Sequence, residues 1–357
     1  MSRPTAAAQS RRPTAAAQIR FLQDLQRLLD EGSFTATYKF ALLHAIADLC
    51  VSHGDDSGEP LTLSTADLAR RFVQLYWPQS APFPGAGQAR VLAQNTSNQA
   101  AVVNWVKEVR PAYDDSLTKA EETDDWRRLV RRVDAKIREM PLWKLQTVGN
   151  ERVAFLYENR EEENPREITL KPGVAYCFRA FHPLITEMVE GAWVQFVRRQ
   201  NGATLGHTTD LHSFLFGNGR ASLARFRPLL EDVQQGRCFY CRTRLLKTAA
   251  VDHFIPWRRY PVDLGHNFVL AHSRCNGQKA DRLAATEHLR RWRERNLRIG
   301  YDLAERFRDA GVPHDLGVST RIARWAYEQV AKVGGRVWVR ADELVPLAPD
   351  WADIFRN

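Results

Sequence analysis

Two short pairs of soft metal ligands constrain this chain more than anything else in it. Residues 238–241 read CFYC and residues 272–275 read HSRC, with thirty residues between the pairs. Cys238 and Cys241 are thus separated by two residues, as are His272 and Cys275. Two such turns facing each other make a closed Cys3His tetrahedron, the geometry typical of structural Zn²⁺. Imidazole binds zinc well, so His272 in place of a fourth cysteine leaves the ligand count intact. The expected cofactor is therefore one structural zinc, with the intervening segment pinned at both ends.

The other two of the five cysteines, Cys50 and Cys177, lie in apolar stretches and read as core. Few cysteines and no apolar export signal at the N-terminus point to a reducing compartment, and the expected location is cytoplasmic. No stretch approaches the roughly 20 apolar residues needed to cross a bilayer, so no membrane partner is expected. A length of 357 residues, 44% hydrophobic with ten tryptophans, suits two or three globular domains at roughly 100–200 residues each.

Charge is concentrated. Residues 237–298 hold fourteen Lys and Arg against five Asp and Glu, a surplus of nine that equals the net charge of the whole chain. A basic region of this density is the electrostatic footprint of a polyanion site, and the expected partner is nucleic acid.

The patterning predicts a mostly helical α+β chain. Residues 1–17, which contain RPTAAAQ twice, read as a disordered tail. Residues 18–218 read as a mainly helical accessory or recognition domain with a small hairpin region. Within it, apolar positions from Tyr38 to Cys50 fall on one helical stripe. The segment LTLSTADLARRFVQLYWP reads as a short strand, a Ser/Thr cap and a helix closed before Pro78, compatible with a winged-helix-like unit. A hairpin is expected around VGNE (148–151), with ITLKPGVAYCF returning to strand. A separate module carrying the two ligand pairs is expected over 219–298, and a C-terminal helical extension over 299–357. The N-terminal region is the expected site of any protein partner or self-association.

Between the two ligand pairs lies VDHFIPWRRYPVDLGHNFVLAHSRCN. Asp252 offers hard oxygens to a divalent cation, and His253 can accept a proton near neutral pH. Neighbours on a strand point to opposite sides. His266 reads as an exposed loop residue, His288 as a surface residue, and Trp257 and Trp292 as core.

At these residues the segment resembles an HNH nuclease of the ββα-metal fold with its motif set inside a zinc-knuckle pair. The matching positions are Cys238, Cys241, Asp252-His253, Pro256, Asn267, His272, Cys275-Asn276 and Lys279, about 45 of the 357 residues. His272 is the one departure from the family's cysteines. The resemblance implies a metal-dependent endonuclease. In it His253 would be the general base and Asn267 the residue that braces the loop and orients it. Asp252 and Asn276 would be ligands of a catalytic Mg²⁺, Mn²⁺ or Ni²⁺. Lys279, with Arg258, Arg259, Arg274, Arg282 and Arg291, would pair with backbone phosphates. DNA is the expected substrate, with restriction or anti-phage defence the expected setting. A catalytically silent zinc-stabilised DNA reader and an RNA-cleaving enzyme share the same residues and stay open.

Overall fold

The computed structural model describes residues 12–84, 90–121, 123–149, 151–158, 165–202, 205, 210–217, 223–245 and 249–356. The chain divides into two compact units, residues 1–219 and 220–357. Both are mixed α+β, with helices predominant and strands in two-stranded antiparallel pairs. Among the described residues no helix is long and apolar enough to cross a membrane.

The first unit contains α1 (Ala15–Glu31), α2 (Tyr38–His53), β1 (Leu61–Ser64), α3 (Thr65–Gln79), α4 (Ala101–Val109), α5 (Leu117–Glu121), α6 (Asp124–Glu139), α7 (Pro141–Lys144), β2 (Thr147–Val148), β3 (Glu151–Arg152), β4 (Glu167–Leu170), α8 (Val174–Ala180), α9 (His182–Gln200) and α10 (Leu211–Leu215). Helix α1 begins before its first large apolar residue because the Thr14 hydroxyl accepts from Ala17 N–H and caps the first turn. Arg12 also donates to the Asp56 carbonyl. Residues 12–17 are therefore built structure, against the expectation of a tail to residue 17, and residues 1–11 lie outside the described residues.

Helix α2 is buried from Lys39 to Ser52 on every side, not along one stripe, because α3, α7, α8 and α9 surround it. Its polar residues must then find partners inside. Asp48 takes His44 Nδ1 at 3.1 Å, Arg71 Nε at 2.5 Å and His182 Nε2 at 2.9 Å. The other nitrogen of His44 meets Glu190 at 3.0 Å, and Glu190 also meets His212 at 2.9 Å.

The expected strand, Ser64 cap and helix are present, and Ser64 Oγ accepts from Asp67 N–H at 3.0 Å. Two details differ. Helix α3 continues through Pro78 to Gln79, although the proline has no N–H to donate to the carbonyl four residues back. β1 pairs with β4, about a hundred residues later, and among the described residues α3 is followed by a single antiparallel bridge, Phe83–Arg90, instead of the paired strands of a wing. The 148–151 hairpin forms, two residues per strand. VAYCF is helix α8, not strand: the chain turns at Lys171–Gly173, and Gly173 sits at φ 81. Cys50 and Cys177 are core, as expected.

The second unit contains α11 (Arg227–Val233), β5 (Ala249–His253), β6 (Phe268–His272), α12 (Ser273–Lys279), α13 (Thr286–Asp309), α14 (Leu316–Lys332), β7 (Arg336–Arg340) and β8 (Glu343–Pro346). β5 and β6 form a hairpin in register from Ala249–His272 to His253–Phe268, and α12 follows β6 without a break. The expected boundary at 298 is not a boundary. Helix α13 runs across it with a kink at Ile299, and residues on both sides of that kink build one core. Trp292 and Arg295 donate to the His266 carbonyl, His266 donates to the Gly300 carbonyl, and Phe307 packs on Gly265. The terminal β7–β8 hairpin belongs to the same unit. Trp338 exchanges backbone hydrogen bonds with Leu283 and Ala285, and its ring meets Tyr240 at 5.1 Å.

Candidate functional site

The turn after α11 and the end of the β5–β6 hairpin bring the two ligand pairs together. One donor atom from each of Cys238, Cys241, His272 and Cys275 lies within 4.8 Å of all the others. Zn–S bonds of about 2.3 Å and Zn–N bonds of about 2.0 Å set tetrahedral edges of roughly 3.5–3.8 Å, and Cys241 Sγ stands 3.3 Å from His272 Nδ1. The tautomer follows from the other ring nitrogen. His272 Nε2 is 2.9 Å from the Arg244 carbonyl, which can only accept, so Nε2 carries the proton and Nδ1 presents its lone pair to the cluster.

The electrostatics also suit a cation. Burial opposes ionisation of Cys241, but hydrogen bonds from Thr243, with Cys238 and His272 alongside, bring its thiol down to about 6. Burial and the neighbouring Cys238 and Cys241 sulfurs push Cys275 up to about 12. The protein alone therefore favours one thiolate and resists the next, and a divalent ion is what lets the set ionise together. The donor set fits structural zinc.

The expected Asp252-His253 pair lies at the opposite end of β5. His253 Nε2 is 2.7 Å from Asp263 Oδ1, with the imidazole 13% exposed between Trp257 and Phe268. The carboxylate fixes the proton on Nε2 and leaves Nδ1 as the acceptor, without a hydrogen bond among the described residues. Sequence reasoning missed Asp263. Its position, ten residues on in a loop, carries no spacing signal. The Asn267 side chain accepts from Ile255 N–H at 2.8 Å and donates to the Ile255 carbonyl at 2.9 Å. With Phe254 N–H on the Asn267 carbonyl, the turn after His253 is held at three points.

Asp252 points to the other side of the strand and is 8% exposed. Its Oδ2 accepts from the Tyr240 hydroxyl at 2.5 Å and lies 3.1 Å from Lys279 Nζ. Oδ1 has no such partner among the described residues. Lys279 corrects an expectation. It is fully buried beneath the Tyr240 ring and donates to the His253 carbonyl at 2.9 Å, so it cannot meet a phosphate. Its (CH₂)₄ stem runs inward from α12 because Asp252 supplies the counter-charge there. The Asn276 side chain, half-buried on the same helix, makes no hydrogen bond among the described residues.

The expected phosphate contacts divide. Arg258, Arg274 and Arg282 are exposed. Arg259 is half-buried, and Arg291 is spent on the Phe239 carbonyl and His288 Nδ1. Arg295 is wholly internal. His266 and His288 are buried too, donating to the Gly300 and Val339 carbonyls, because the segments that cover them come from residue 300 onward. Trp292 is core, as expected, and Trp257 is half-buried.

Residues 18–215 match a family described as a domain of unknown function, DUF8808, more than half of the chain. The chain belongs to the DUF8808 family. The matched residues lie within the first unit, so the DUF8808 region carries the His44–Asp48–Glu190 network, while the four-ligand cluster lies beyond it. No curated protein and no solved structure matches the chain.

Proposed function

We propose that the second unit is a metal-dependent HNH-type endonuclease that hydrolyses phosphodiester bonds in DNA. The observation that carries this reading is the state of His253. One ring nitrogen is committed to Asp263, the following turn is pinned by Asn267, and the other nitrogen is left to take a proton. The unit built from a hairpin, a following helix and a zinc cluster supports the ββα-metal reading.

In this mechanism His253 Nδ1 accepts a proton from the attacking water as its oxygen bonds to phosphorus. The P–O3′ bond breaks, the departing O3′ takes a proton from solvent water and His253 returns its proton to solvent, leaving a 3′-hydroxyl and a 5′-phosphate. Asp252 Oδ1 and the Asn276 amide oxygen would hold a divalent cation, which supplies Lewis acidity and charge neutralisation at the phosphate. Tyr240 and Lys279 keep Asp252 in place, and Lys279 also ties down the backbone of His253. The zinc is scaffolding.

The DUF8808 region would select or sense the target in a cytoplasmic defence against foreign DNA. The test is direct. Supercoiled plasmid is incubated with the protein and Mg²⁺, Mn²⁺ or Ni²⁺, and nicking is expected to require metal and to vanish in His253→Ala. Undiminished nicking by that variant would remove the base. Binding with no cleavage under any metal would favour the silent DNA reader, and cleavage confined to RNA would favour the ribonuclease.

A further inference from the structure

The four-ligand cluster is flanked by exposed positive charge. Arg237 and Arg244 face each other across an antiparallel bridge, and Arg242 lies between them in the same short loop. Residues directly opposite in such a bridge have Cβ atoms roughly 5 Å apart, and like charges there are unfavourable. All three arginines are exposed; Arg237 Nη1 donates to the Arg242 carbonyl at 3.3 Å, and none has an ion pair among the described residues. Of the acids close by, Glu231 meets Arg227 at 3.7 Å within the same cleft and Asp232 meets Arg306 at 2.7 Å. A cleft of about 470 Å³ opens over this loop, lined by Arg227, Glu231, Arg237 and Arg244 with Gln235 and Leu245.

We propose that this cleft is a phosphate-binding subsite for a nucleic-acid backbone, built on the knuckle and separate from the cleavage centre. The proposal rests on the nuclease reading above for its ligand. The ground is electrostatic: a like-charge pair opposite in register, with no ion pair among the described residues, is relieved by an anion, and guanidinium groups bind phosphate bidentately. Its distance from the centre follows from the hairpin. His272, whose Nε2 donates to the Arg244 carbonyl, is paired with Ala249, four residues along β5 from His253. At about 3.3 Å per residue that is roughly 13 Å, about two phosphates along a strand. The cleft would therefore hold the substrate beside the scissile bond and set its polarity.

The experiment uses the full chain in a His253→Ala background, so that duplex is bound and not cut. Binding of a fluorescein-labelled DNA duplex is followed by anisotropy over a series of KCl concentrations, for this parent and for Arg237→Gln/Arg244→Gln. Arg340→Gln, an exposed arginine on the terminal hairpin, serves as control. Loss of two phosphate contacts is expected to reduce the log–log salt slope by about 1.8 and to weaken binding tenfold or more at low salt, with the control within twofold of the parent. Bound zinc, equal in all variants, confirms the fold. A salt slope unchanged in the double variant overturns the subsite. So does a variant that loses thermal protection by inorganic phosphate yet binds duplex as the parent does, which assigns the cleft to a free anion. The nuclease reading is judged separately, by plasmid cleavage with His253 intact, so either can fail alone.

Discussion

The Lys279 ammonium sits 3.1 Å from Asp252 Oδ2 and 2.9 Å from the His253 carbonyl oxygen, so one buried cation ties together the side chain of the first residue and the backbone of the second. This places the lysine beneath the candidate centre instead of on its surface. Breaking a buried ion pair by removing one partner leaves the other charge uncompensated and typically costs about 3–5 kcal/mol. Lys279→Met is expected to destabilise the second unit by several kcal/mol in urea unfolding. A surface contributor to DNA binding would instead leave stability unchanged and alter only the salt slope.

Tyr240 is the second hold on Asp252. Tyr240→Phe keeps the ring against Trp338 and removes one hydrogen bond to a carboxylate, worth about 1.5–3 kcal/mol. The expected result is a modest loss of stability with zinc retained. The metal concentration needed for half-maximal nicking should shift, because Asp252 is then held by Lys279 alone. A variant with unaltered metal dependence would show that the hydroxyl does not position the carboxylate.

Asp263 carries the candidate base. Asp263→Asn preserves volume but presents an amide where the ring N–H needs an acceptor of fixed charge. Nicking is expected to fall about 100-fold or more, with the unfolding midpoint little changed. Equal rates in the two proteins would detach Asp263 from the chemistry.

Zinc binding and folding are expected to be coupled in the second unit. Chelation is expected to expose three thiols to a colorimetric thiol reagent, those of Cys238, Cys241 and Cys275, while Cys50 and Cys177 remain buried in the first unit. Cys238→Ser should lower bound zinc and destabilise the second unit. One zinc per chain retained in that variant would refute the Cys3His assignment.

The first unit has a pH dependence of its own. Burial disfavours charge on His44, but the Asp48 charge and the hydrogen bonds to Asp48 and Glu190 prevail and bring it up to about 9. A group raised in the folded state adds stability that is complete below its unfolded value of about 6.5 and is lost as the pH climbs through about 9. That difference corresponds to on the order of 3 kcal/mol. The urea midpoint should fall between pH 6.5 and 9.5, and His44→Gln should flatten that decline. A parent midpoint constant over this range would mean that His44 is neutral in the folded protein.

Much of the candidate site was legible because its parts are local in the chain. The two ligand pairs, the Asp252-His253 dipeptide and Asn267 are spacings along a sequence, and a two-residue gap between ligands needs no distant information. Asp263 was not legible, since an aspartate in a loop has no periodicity to mark it. Lys279 was misread for a related reason: a lysine in a basic segment is usually solvated, and only the presence of Asp252 and Tyr240 beneath it reverses that expectation. His266 and His288 were misplaced likewise, because the residues that bury them come from α13 beyond its kink and from the terminal hairpin, and Arg291 because the Phe239 carbonyl within the first ligand pair takes its guanidinium.

By itself the sequence determined the donor set of the metal centre, the location of the positive charge and most of the helices, because these depend on residue identity and on short-range periodicity. Only the tertiary structure decided which of the charges face water and which hold the interior together. The cost of burying a charge is settled by what stands within a few ångströms, and that neighbour is brought there by packing between segments far apart in the chain.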